Sequence, residues 1–191
     1  MNVDNWSPIP IGWVDNPKHG NIKDKLINLC EEISKEKKDQ KDWVAQGVYT
    51  SLHHLDVYRE TKFDSLNIWV DRMLSEFKKK VDIKNDIQCA SAWFNIYHKY
   101  DYQEFHQHAD NDLSCVYFLK SKVNGPKLVF ENWNSHYFTL KSGFDNFAHR
   151  FFYESIEGRL LIFPSQLRHC VEQNLFDDTR ISIAYNYREI K

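Results

Sequence analysis

The stretch ASAWFNIYHKYDYQEFHQHADNDLSCVYFL, residues 90–119, decides the fold. Ala90, Ala92, Phe94 and Ile96 alternate with Ser91, Trp93, Asn95 and Tyr97, the period of two of a strand whose faces meet different surroundings. LSCVYFL (113–119) resumes the pattern after a polar interruption. KLVF (127–130), RLLIF (159–163), RHCVEQ (168–173) and RISIAYNY (180–187) follow as further short strands between turn signals.

Upstream of residue 88 the period is helical. Ile22, Leu26, Leu29, Cys30 and Ile33 fall on one helix face, and a second stripe of Phe63, Leu66, Trp69, Val70, Met73, Leu74 and Phe77 predicts a helix from Asp64 to about Lys80. VAQGVYTSLHHLDVY between them is β-prone, with a turn at Gly47. Helices beside many short antiparallel strands predict an α+β domain built on a sandwich, barrel or jelly roll. With 191 residues the expectation is one domain over 1–191, with a helical support region at 1–88 and a strand-rich core at 89–187. The aromatic connection 131–157 is a candidate substrate wall or lid.

Composition narrows the function classes. A formal charge of −2, from 25 basic and 27 acidic residues, disfavours a nucleic-acid partner. No apolar run is long enough for a transmembrane helix, and MNVDNWSPIP does not read as a secretory leader. Cys30, Cys89, Cys115 and Cys170 form no C-x-x-C and are expected as free thiols, which points to the cytoplasm. An exposed apolar face on either helix would mark a homodimer.

His106-Gln107-His108 stands before a strand, and residues i and i+2 of an extended segment share a face, so both imidazoles can reach one metal. Asp110 adds a third candidate ligand within five residues, and His169 opens a later strand. Two frames are open: His106, His108 and His169 as a three-histidine set, or His108 and Asp110 as an H-x-D pair with His106 behind it. Arg180 and Ser182 share a strand face, and a guanidinium beside a hydroxyl is a receptor for a carboxylate.

W-F-N-I (93–96), H-Q-H (106–108), L-S-C-V-Y-F (113–118), F-P-S-Q-L-R-H (163–169) and R-I-S-I-A-Y-N (180–186), in that order, resemble the 2-oxoglutarate/Fe(II)-dependent oxygenase superfamily. More narrowly they resemble a prolyl-hydroxylase-like H-x-H branch common in marine bacteria and their phages. The resemblance implies a double-stranded β-helix, a cupin-like jelly roll with supporting N-terminal helices. It implies Fe(II) on His106 and His169 with His108 in the usual carboxylate slot, and Asp110 as the alternative ligand. It implies that Arg180, with Ser182, binds the distal carboxylate of 2-oxoglutarate, and that Tyr97, Ser114, Phe118, Asn95 and Asn186 line that cosubstrate's pocket. Phe118 stands where relatives often have a second Tyr. Apolar neighbours such as Leu113, Val116 and Ile181 would keep the site dry if they face inward. The implied reaction uses O2 to hydroxylate a peptide, protein or small-molecule substrate, such as a peptidyl or free proline, with release of succinate and CO2. The competing classes are a cupin-like metal-binding protein or three-His dioxygenase that does not use 2-oxoglutarate, and a non-catalytic structural protein.

Overall fold

A computed structural model describes residues 9–36, 47–131 and 150–190. The strands in chain order are β1 (Gly12–Asp15), β2 (Tyr49–Thr50), β3 (Ile87–Tyr97), β4 (Gln103–His106), β5 (Leu113–Lys120), β6 (Leu128–Glu131), β7 (Arg150–Tyr153), β8 (Arg159–Pro164), β9 (His169–Val171) and β10 (Arg180–Glu189). The helices are α1 (His19–Glu36) and α2 (Asp64–Lys80). The strands form a six-stranded sheet, β1-β8-β5-β10-β3-β2, and a four-stranded sheet, β4-β9-β6-β7. All their pairings are antiparallel, and the arrangement is the double-stranded β-helix expected from the sequence.

Both helices cover the outer face of the larger sheet. Asn16 starts α1 by accepting the Lys18 N–H at 2.9 Å, with Pro17 pre-set for the first turn. Asp64 in the first turn and Lys78, Lys79 and Lys80 in the last complement the dipole of α2. Leu26 and Leu29 of α1 and Leu66, Val70 and Leu74 of α2 are buried against Phe94, Ile96, Cys115, Tyr117, Leu160, Ile162, Ile183 and Tyr185. A polar latch ties α2 to β10: Tyr187 and Tyr58 donate to the Asp71 carboxylate at 2.9 and 2.7 Å, and Tyr185 donates to Asn67 at 3.0 Å.

A second core fills the space between the sheets, with Val116, Phe118, Leu161 and Phe163 on one side and Leu128, Phe130 and Val171 on the other. Leu113 and Ile181 belong to the helix-side core, so of the three apolar neighbours only Val116 faces inward. The reason is register: Leu113 pairs with Tyr187 and Ile181 with Ile96, both on the outer face.

The N-terminal region is more than a helical support, since β1 and β2 close the two edges of the larger sheet. The β-prone run around Gly47 yields only the two-residue β2. Beyond it, Ser51 and Val57 each give one backbone hydrogen bond to β3, at Phe94 and Ala92, and the chain otherwise turns. Most of 131–157 lies outside the described residues; its end forms β7 and a turn leading to β8.

Candidate active site

Register places the interior side chains in rows. Tyr97 of β3 lies opposite Arg180 of β10. Asn95, Ser182 and Phe118 make the next row, then Trp93, Ala184 and Val116, then Ser91, Asn186 and Ser114. Outward positions of the same strands carry Phe94, Ile96, Ile183 and Tyr185, so alternation alone separates the interior from the scaffold.

The smaller sheet supplies the histidines. His106 ends β4 directly opposite His169 of β9. His108 lies just beyond the strand, and its backbone N–H donates to the Ser165 carbonyl at 2.9 Å, which brings its ring back to the other two. Ring centroids are 4.3 Å apart for His106 and His169, 5.1 Å for His106 and His108, and 5.3 Å for His108 and His169. One nitrogen from each ring falls within 4.8 Å of the other two. Asp110 is exposed and outside this group.

Hydrogen bonding fixes two tautomers. His106 Nδ1 meets the Glu104 carbonyl and His169 Nδ1 the Leu167 carbonyl, each at 2.8 Å. A carbonyl only accepts, so Nδ1 carries the proton and Nε2 keeps a free lone pair. Burial holds all three histidines below the ordinary imidazole pKa. His108 comes down to about 4, with His106 adding to the effect, and His169 lies well below its usual value. Neutral imidazole is the form that binds a metal. Phe163 and Phe130 pack on His169, and Trp93 packs on His108, with centroids 5.0, 6.0 and 5.6 Å away.

Arg180 is 1% exposed. Its Nε donates to Ser155 Oγ at 3.4 Å and its Nη1 to Ser182 Oγ at 3.3 Å, both long. Nη2 has no partner. The guanidinium carbon lies 4.8 Å from the Tyr97 ring centroid and 5.4 Å from that of Phe118. Phe118 thus faces the guanidinium with a π surface where a Tyr would bring a hydroxyl. Burial raises the Tyr97 pKa, opposed by the Arg180 charge, so the phenol stays protonated and donates to Gln103 at 3.4 Å. Ser114 Oγ contacts Ser165 Oγ and Asn186 Oδ1, each at 2.8 Å. Besides Arg180 Nη2, two more buried atoms on the inner face lack partners among the described residues, Trp93 Nε1 and Asn95 Oδ1.

Buried groups are normally satisfied, so a cationic donor left open in a closed interior marks the seat of an anion. Three neutral imidazoles converging on one point suit iron and other first-row metals. The donor sets therefore fit both Fe(II) and 2-oxoglutarate. Ser155 and Ser165 were not singled out from sequence; both sit in connections that carry no periodic signal.

The family model described as "Putative 2OG-Fe(II) oxygenase" matches residues 91–186, half of the chain. No curated protein sequence matches. Among solved structures, a prolyl-4-hydroxylase from Pseudomonas putida aligns with TM-score 0.67 at 15% identity over 94% of each chain. HygX from Streptomyces hygroscopicus, solved with nickel and 2-oxoglutarate bound, aligns with TM-score 0.68 at 10% identity, covering 95% of this chain and 83% of HygX. A Trichoplax adhaerens prolyl hydroxylase, in complex with a hypoxia inducible factor peptide fragment, aligns with TM-score 0.65 at 12% identity over 94% and 83%. The matched segment carries every motif from Trp93 to Asn186, and the chain belongs to the 2OG-Fe(II) oxygenase family, enzymes that use Fe(II), 2-oxoglutarate and O2.

Proposed function

We propose that this chain, as one catalytic domain over 1–191, hydroxylates a peptidyl or free amino acid such as proline, with His106, His108 and His169 holding Fe(II) and Arg180 holding 2-oxoglutarate. The observation that carries the reading is the unpartnered Nη2 of a fully enclosed Arg180, on the same interior as the histidine group. The prolyl hydroxylases among the structural neighbours support the amino-acid substrate by analogy of fold. Four free cysteines and the lack, among the described residues, of a helix able to cross a membrane support a cytoplasmic location.

His106, His108 and His169 would hold Fe(II) and Arg180 the 2-oxoglutarate; O2 would be the oxidant, with the keto acid giving up two electrons as it loses CO2. The chain's own residues bind and orient. Arg180 pairs with the distal carboxylate, Ser182 shares it, and the Tyr97 and Phe118 rings hold the guanidinium in place. Val116, Leu161, Phe163 and Phe130 exclude water around the cosubstrate. His106 and His108 are only half-buried and mark the mouth. Ser114, Ser165 and Asn186, in the row furthest from Arg180, are neutral hydrogen-bonding groups suited to an uncharged polar substrate.

The test is anaerobic titration of the Fe(II)-loaded protein with 2-oxoglutarate, followed by exposure to O2 and a succinate assay. A weak visible charge-transfer band and succinate release, both lost in Arg180→Ala, are expected. Iron-loaded wild type that shows neither overturns the reading. Turnover that persists without 2-oxoglutarate assigns the site to three-His dioxygenase chemistry.

A further inference from the structure

We propose that Trp93 is a further cosubstrate-contacting residue, its indole N–H donating to the keto-acid end of 2-oxoglutarate beside His108. The inference rests on the assignment of Arg180 to the distal carboxylate.

Trp93 is 3% exposed and its Nε1 has no partner. Leaving such a buried donor unmet is costly, so the arrangement makes sense when a ligand completes it. The ring lies 5.6 Å from that of His108 and opposite Ala184, the smallest side chain of its row.

Two observations identify the ligand as 2-oxoglutarate. The first is polarity. On the inner face, the unpartnered donors among the described residues are Arg180 Nη2 and Trp93 Nε1. Ionised 2-oxoglutarate offers acceptors only, at two ends: two donors meet two ends. Asn95 Oδ1 is the third unpartnered atom, but it is an acceptor and cannot serve a dianion.

The second observation is length. Trp93 stands two pleat repeats from Tyr97 along the same face of β3, about 13 Å at roughly 3.3 Å per residue. The guanidinium lies over both the Tyr97 and Phe118 rings, between the first and second rows, which shortens the gap to roughly 10 Å. Four C–C bonds of about 1.5 Å span about 5 Å extended. A hydrogen bond of about 3 Å at each end makes up the remainder. A diacid seated on Arg180 therefore ends at the Trp93 row, where His108 also lies.

Trp93→Phe removes the N–H and keeps a ring against His108. Binding is measured anaerobically by calorimetry on Fe(II)-loaded protein, with 2-oxoglutarate and with pyruvate, which has the keto-acid end alone. Metal affinity is measured separately. Trp93→Phe is expected to weaken both ligands by about 10- to 100-fold, the worth of a hydrogen bond to a charged group, with metal affinity unchanged. Arg180→Met is expected to weaken 2-oxoglutarate and leave pyruvate unaffected. As a second readout on unmutated protein, the Trp93 indole N–H resonance of the Zn(II)-loaded form is expected to move downfield on adding either ligand. Wild-type affinity in Trp93→Phe, or an indole resonance that ignores pyruvate, overturns this inference alone. Wild type that binds no 2-oxoglutarate overturns the oxygenase reading and this inference with it.

Discussion

Replacing Arg180 with Met should make the ligand-free protein more stable and blind to 2-oxoglutarate at once. Arg180 is a cation 1% exposed, with burial lowering its pKa and no carboxylate partner among the described residues. Desolvating such a charge costs several kcal/mol. Against this stand two hydrogen bonds at 3.3 and 3.4 Å, near the limit of the interaction, and two buried ring contacts worth about 2 kcal/mol each, of which a Met thioether against the same rings would keep about 0.3–1.5 kcal/mol each. The balance favours Met by about 1–3 kcal/mol, since removing an unsatisfied buried group recovers its desolvation penalty. For a chain of this size that is a melting-temperature rise of roughly 2–10 °C. With Mn(II) in place of iron and 2-oxoglutarate at 100 times its Kd, wild type should gain about 2.7 kcal/mol and the variant nothing. Differential scanning calorimetry with and without 2-oxoglutarate reads both effects. A variant destabilised by more than about 2 kcal/mol, or one still stabilised by 2-oxoglutarate, would refute the view of Arg180 as a charge awaiting its partner.

His108→Ala should weaken metal binding by at least 100-fold while Asp110→Ala stays within about twofold, since loss of a ligand far outweighs a change at an exposed side chain; isothermal titration with Mn(II) measures both. Asp71→Ala leaves the Tyr58 and Tyr187 hydroxyls without their acceptor and should cost about 2–4 kcal/mol in urea unfolding, with metal affinity unchanged. Gly47 has φ +82°, and a Cβ there would fall on the Asp101 carboxylate, which accepts the His98 N–H at 2.7 Å; Gly47→Ala should lower stability by about 2–4 kcal/mol in the same assay. The metal-free protein should lose stability as pH falls from about 6.5 toward about 4. There the unfolded chain takes up a proton on His108 that the folded state refuses, to a limit of about 3 kcal/mol, whereas above pH 6.5 both states are neutral and the effect vanishes. Urea titrations at several pH values would show it, and a flat profile would contradict it.

The sequence carries most of this fold because its periods are unmixed. The helix expected from Asp64 to about Lys80 is α2, since its apolar stripe and charged last turn agree. The long central strands are equally plain. What escaped were short edges: β1 and β4, whose four residues each give too little period, and β7, at the end of the aromatic connection. The direction of Leu113 and Ile181 stays open in the sequence because hydrophobicity does not distinguish two apolar cores on opposite faces of one sheet; only register does. At the site, H-x-H and R-x-S located the candidates. Sequence left His108 and Asp110 as alternatives, and the choice is posed by the His108–Ser165 backbone contact, which spans chain positions that no local pattern links. Trp93 was visible within its motif, yet its unpartnered N–H becomes apparent only once the neighbours are in place.

β10 carries both halves of this molecule on alternate residues. A slip of one position would turn Arg180, Ser182 and Asn186 toward the apolar flank of α1 and α2 and swing Ile183 and Tyr185 into the space between the sheets. A charge would then lie against the helices, and Asn67 and Asp71 would lose the phenols they hold. The same slip would empty the interior of its cation. Misthreading is thus penalised twice by a single strand, so any population that folds well enough to survive also presents its guanidinium inward. For this chain, quality control of the fold and quality control of the catalyst are one event.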